Sequence, residues 1–122
     1  SVKNLNFTVA QLLGNNYQIL VWQSEKPVFK DGKPTDEKYW VAEVTTAESG
    51  FEKISVKLEG KGIDITNETL ITRNSAFDFV FVKFINDSAK IYTDFKTGEQ
   101  KICAKANGIE LYNNTDDDIE LG

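Results

Sequence analysis

The side chains with the most to offer chemically are flat rings set beside lysines in segments that alternate apolar and polar. In Tyr17-Gln18-Ile19-Leu20-Val21-Trp22-Gln23, Trp22 falls on the face opposite Ile19 and Val21. Over residues 38–46, Tyr39 shares a face with Glu43 and lies opposite Trp40, Ala42 and Val44. Over residues 51–59, Ile54, Val56 and Leu58 take the inner face and leave Lys53 and Lys57 on the polar one. An exposed ring can stack a nucleobase, worth about 1–3 kcal/mol per base, while a neighbouring ammonium group neutralises a phosphate. The chain holds eight Phe, four Tyr and two Trp but no Met, so each ring is equally a candidate for filling the core. The run Phe77-Asp78-Phe79-Val80-Phe81-Val82-Lys83-Phe84-Ile85 keeps both readings open, because Phe77, Phe79 and Phe81 oppose Val80, Val82 and Phe84. Lys83 turns the first face outward at its end.

Further cations gather in turns. Lys26, Lys30, Lys33 and Lys38 flank Asp31-Gly32-Lys33-Pro34, and Arg73, the only arginine, precedes the Phe-rich run. Catalytic constellations are missing by composition. The chain has no His and a single Cys, Cys103, which removes Ser-His-Asp and Cys-His sites, zinc sites built on His or paired Cys, and any disulfide within the chain. No P-loop, G-x-G-x-x-G or EF-hand loop occurs, and Gly60-Lys61-Gly62 reads as a tight turn. The expectation is a non-enzyme without metal or cofactor.

The elements that position these residues are short strands. Periodicity is mostly two, and turn signals recur: Lys26-Pro27, Asp31-Gly32 before Pro34, Ser49-Gly50, Gly60-Lys61-Gly62, Asn86-Asp87-Ser88 and Asn107-Gly108. Residues 77–85 are expected as a central strand, and 90–95 with 100–106 as a hairpin. Residues 7–13 allow a short helix ending at Gly14. Residues 63–72 read either as a strand or as a helical turn capped by Thr66 or Asn67. The total is five to seven strands, an all-β fold of the small barrel or sandwich type. A barrel is favoured because so small a sheet must hide its edges.

The 122 residues are one domain, at 40% hydrophobic and 27% charged. No apolar stretch approaches the roughly 20 residues that span a bilayer, so no membrane partner is expected. No basic-then-apolar leader opens the chain, and the cytoplasm is the expected compartment. Net charge is −5, but Asp116, Asp117, Asp118 and Glu120 supply most of it. Without those four, 15 acids face 14 bases. The body is therefore near neutral and can hold a basic groove. Residues 1–112 are read as the folded domain and 113–122 as a disordered acidic tail.

Asp116-Asp117-Asp118-Ile119-Glu120-Leu121 resembles the partner-binding tail of bacterial single-stranded DNA-binding proteins, although it ends in Leu121-Gly122 rather than Pro-Phe. From Asn4-Leu5-Asn6-Phe7 to that tail, the whole chain resembles phage-encoded single-stranded DNA-binding proteins of the lactococcal type in size, strand order and Asn/Lys-rich composition. The resemblance implies an OB-fold, a five-stranded Greek-key barrel, and sequence-tolerant single-strand binding during phage DNA replication or recombination. It also implies action in the cytoplasm of an infected bacterial host, and a homodimer. In that frame Trp22, Tyr39 and Phe79 stack bases. Lys33, Lys53, Lys57 and Arg73 follow the backbone, and residues 116–121 recruit replication or recombination proteins. The rival reading is a protein-interaction module, an inhibitor or virion component, whose tail serves solubility. An enzyme using only Asp, Glu and Lys stands behind both.

Overall fold

A computed structural model of the chain describes residues 6–112. It is predominantly β. Eight strands form one sheet: β1 (Asn6–Phe7), β2 (Gln18–Lys30), β3 (Lys33–Thr45), β4 (Ile54–Leu58), β5 (Phe81–Ile85), β6 (Ser88–Thr93), β7 (Gln100–Ala106) and β8 (Gly108–Leu111). Helix α1 (Val9–Leu13) precedes β2, and α2 (Asn67–Ser75) lies between β4 and β5. The neighbour order is β1-β6-β7-β4-β3-β2-β5-β8. β4 and β7 run parallel; the other pairs are antiparallel.

That order forces the sheet to curl. Ile85 and Ser88 are three residues apart, which limits them to about 11 Å. In a flat sheet, the five steps from β5 to β6 would separate them by roughly 24 Å. The corner between these strands is Asn86, at φ 49°. A matching corner joins β7 to β8, where Asn107 N–H donates to the Ile85 carbonyl at 2.9 Å. The strand count is therefore eight rather than five, in a sheet that bends back on itself.

Alternation places the core inside the curl. β4 buries Ile54, Val56 and Leu58 and exposes Ser55 and Lys57. Leu20, Ala42, Val44, Val80, Val82, Ala89, Ala104 and Ala106 complete the interior with Val9, Leu13 and Leu70 from the helices. α1 starts in a capping box between Thr8 and Gln11 and ends at Gly14, whose φ of 80° suits a residue without Cβ. The Asp87 carboxylate accepts from Val9 N–H at 2.6 Å and ties α1 to the β5–β6 corner.

Helix α2 replaces a strand partner that β2 lacks. β2 pairs with β5 only at Gln18 and Ile19, with Leu20 N–H donating to the Val80 carbonyl. Beyond that, side-chain amides take over. Asn74 Nδ2 donates to the Leu20 carbonyl at 2.9 Å. Asn67 donates to the Gln23 carbonyl at 2.8 Å and accepts from Gln23 N–H at 3.0 Å. Asn67, Leu70 and Asn74 stand three and four residues apart, on one helix face. Leu70 fills the core between the two amides. The helix cap is Thr66, whose hydroxyl accepts from Thr69 N–H at 3.2 Å, which settles residues 67–75 as helix.

Several sequence expectations change. The Lys26-Pro27 turn signal lies inside β2, which runs on to a two-residue hairpin turn at Asp31 (φ 53°) and Gly32 (φ 77°). The third strand is shorter than residues 51–59. The Phe-rich strand begins only at Phe81, because Phe77 adopts φ 60° and lies outside the sheet. The acidic tail, including Asp116, Asp117, Asp118, Ile119, Glu120 and Leu121, lies outside the described residues. Among the described residues, no helix is long and apolar enough to cross a membrane.

Candidate nucleic-acid interface

Register lays out the outer face of the curled sheet. One row crosses five strands: Ser24 faces Val41, Val41 faces Lys57, Lys57 faces Lys105, and Lys105 faces Ser88. On one side of this row, Lys26 faces Tyr39. On the other, Trp22 faces Glu43, Glu43 faces Ser55, and Cys103 faces Lys90. Lys26, Lys57, Lys90, Cys103 and Lys105 are exposed, while the alternate residues Ala42, Val56, Ala89, Ala104 and Ala106 are buried. Lys57 Nζ lies 4.6 Å from the centroid of the Tyr39 ring. The sheet thus carries a ring and cations side by side, with Trp22 about four residues, or roughly 13 Å, further along the strand direction.

Trp22 is 40% exposed, and simple alternation does not explain why. Leu20 is fully buried, so a regular strand would point Trp22 inward with it. The register shifts between Leu20 and Trp22, a β-bulge at Val21 that turns Trp22 onto the outer face. Ile19 consequently lies on the outer side too, covered by rings rather than by the core.

The remaining expected site residues are dispersed. Lys53 is exposed just before β4. Lys33 faces Lys30 at the tip of the β2–β3 hairpin, six residues or about 20 Å along β3 from Tyr39. Arg73, near the end of α2, donates from Nε and Nη2 to Asp78 at 3.0 and 3.1 Å. The hydrogen bond from Arg73, and then its charge, hold the Asp78 carboxyl below the usual aspartate range. Arg73 is therefore engaged with an acid beside the Phe77–Phe79 segment rather than gathered with the lysines.

Phe79 belongs to a second cluster. Its ring meets Phe77 edge-on at 6.0 Å and Phe81 at 6.2 Å; Phe81 meets Tyr17 edge-on at 5.0 Å, and Tyr17 stacks on Tyr112 at 4.4 Å. The Phe77, Phe79, Phe81 face is thus neither core nor flat sheet. Phe79 and Phe81 wall a cleft at one end of β2, with Phe77 edge-on beside Phe79.

Lys90 and Lys105 extend the outer face beyond what composition and spacing single out, and Lys26, read from the sequence as a turn cation, lies on it within β2. Lys101-x-Cys103-x-Lys105 alternates in the sequence, yet only the parallel β4–β7 pairing brings Lys105 beside Lys57. Lys101 is less available, since it pairs with Asp94 at 3.0 Å. Its hydrogen bond is the main cause holding the Asp94 carboxyl below its usual value, followed by the Lys96 backbone. No group of three or more His, Cys, Asp or Glu among the described residues is arranged to hold a metal ion. No protein-family model, curated protein or solved structure matches the chain.

Proposed function

We propose that this chain is a non-enzymatic OB-fold protein that binds single-stranded DNA on the outer face of β2, β3, β4 and β7. The observation that carries the reading is the row Lys57–Lys105 set beside Tyr39, with Trp22 turned outward by the bulge. Bases stack on the two rings, and the lysines meet the phosphates. The Lys57 ammonium over Tyr39 is exchanged for a base as it moves to a phosphate. Strand topology supports the OB assignment. Setting aside the two-residue β1 and counting β5–β6 as one bent strand and β7–β8 as another leaves five segments. In that count β3 and β4 are the second and third, the pair whose face binds oligonucleotides in OB barrels. Phage replication or recombination, a dimer, and partner recruitment through residues 116–121 belong to the same proposal, resting on the sequence resemblance.

Gel shifts with labelled oligo-dT and with duplex test it. The single strand is expected to shift at micromolar protein and the duplex to shift far less. No shift with oligo-dT favours the protein-interaction module instead. Two further results are expected. Saturating oligo-dT slows alkylation of Cys103, which lies exposed opposite Lys90; an unchanged rate would move the strand to another face. Tyr39→Ala weakens oligo-dT binding by about 1–3 kcal/mol in a fluorescence titration while circular dichroism stays native. Loss of the native spectrum would assign Tyr39 to packing.

A further inference from the structure

The cleft at the end of β2 has features that stacking on the lysine face does not require. It measures about 190 Å3, below the roughly 300–1,000 Å3 of drug-sized sites and suited to a single planar ring system. Tyr17, Ile19, Phe51, Phe79 and Phe81 form its apolar walls. One of these walls, Phe51, is held in a left-handed backbone conformation at φ 63°. A bulky side chain is strained there by about 1–2 kcal/mol, where Gly or Asn fits more easily. Burial does not compensate, because Phe51 is 57% exposed. Strain at an exposed ring points to use by a ligand. Phe51 is held in place by its N–H donating to the Thr46 carbonyl at 2.9 Å.

The polar rim narrows the ligand. Asn15 Nδ2 donates to Glu48 Oε1 at 3.2 Å. Both residues line the cleft, and that contact does not use the Asn15 amide oxygen or the second Glu48 oxygen, which are acceptors. A carboxylate repels phosphate, so a strand enters this cleft base first. Guanine alone among the DNA bases offers two adjacent donors, N1–H and N2–H, on its Watson–Crick edge. Adenine and cytosine place one amino donor beside an acceptor, and thymine places its N–H between two carbonyls. The cleft also lies on the outer side of the sheet, reached along β2 from Trp22 through the bulge.

We infer that the cleft formed by Tyr17, Phe51, Phe79 and Phe81 takes one unstacked base of the bound strand and selects guanine through Glu48 and Asn15. The inference rests on the single-strand reading above and adds a base-selective pocket to an otherwise sequence-tolerant track. Its test compares three fifteen-nucleotide strands by tryptophan fluorescence: all thymidine, one central deoxyguanosine, and one central deoxyinosine, which keeps N1–H but lacks the amino group. The guanine strand is expected to bind about fivefold or more tightly than the thymidine strand, with inosine between them. Glu48→Gln, an exposed and structurally mild change, is expected to remove that preference, read as the ratio of guanine-strand to thymidine-strand affinity within the variant. Equal binding of all three strands, or a preference that survives Glu48→Gln, overturns the pocket and leaves single-strand binding standing. Failure of every strand to bind overturns both.

Discussion

Gln23→Ala is expected to lower the stability of the fold by about 3 kcal/mol, because a buried polar junction loses its partners. Gln23 is 4% exposed. Its Nε2 donates to the carbonyls of Ile63 and Ile65, and its Oε1 accepts from Ile63 N–H at 2.9 Å. Removing the side chain strands the Ile63 N–H and the Ile65 carbonyl where water has little access, while the Ile63 carbonyl keeps only the Ile65 N–H at 2.8 Å. Ala also leaves a void against Gly62, which packs so closely that a Cβ there would lie 2.9 Å from Trp40 and closer still to Gln23. Thermal unfolding followed by circular dichroism should show a Tm lower by on the order of 10 °C. An unchanged Tm would mean that the 60s loop is not held by this side chain. The junction bears on function through geometry. Gln23 follows Trp22 directly, and Asn67 grips its backbone, so the latch fixes the strand just after the bulge that turns Trp22 outward.

The second large effect is electrostatic. Lys57→Glu combined with Lys105→Glu is expected to weaken oligo-dT binding by about 100-fold or more near 50 mM salt. Each lost phosphate contact removes roughly 0.7 from the slope of log K against log salt, so the slope should flatten by about 1.4. Both lysines are exposed on strands whose alternate residues are buried, so the fold should survive. Native circular dichroism with an unchanged salt slope would remove these lysines from the phosphate path. The same double change on a protein-interaction module would leave oligonucleotide behaviour untouched, which separates the two readings.

How far the sequence revealed these features depended on whether a signal was local. The β4 pattern was legible because Ile54, Val56 and Leu58 alternate cleanly with polar residues on a strand with one buried face. The helix at Val9–Leu13 was legible from Gly14, whose left-handed cap is a local requirement. The Phe-rich run misled because it is apolar on both faces, so periodicity could not show that residues 77–80 lie outside the strand. Trp22 pointed outward as expected, but through a bulge at Val21 that reversed the faces assigned to Ile19 and Leu20. No propensity marks such a bulge. Asn67 stood out only as a possible helix cap, and nothing local marked Asn74. Their partners stand 44 and 54 residues away, and only the fold reveals that they complete the edge of β2. The Lys57–Lys105 row likewise depended on a parallel pairing between strands far apart in sequence. Eight strand segments rather than five emerged because corners at Asn86 and Asn107 divide two long, bent strands and the two-residue β1 adds one more.

The most direct measurement is a tryptophan fluorescence titration with oligo-dT on the native chain, Trp22→Phe and Trp40→Phe. Trp22 is exposed on the outer face, whereas Trp40 is half-buried and packs against the core. Quenching is expected in the native chain and in Trp40→Phe, weakening as salt rises, and is expected to vanish in Trp22→Phe. Quenching that persists undiminished in Trp22→Phe, or a native chain indifferent to the oligonucleotide, would contradict single-strand binding on this face.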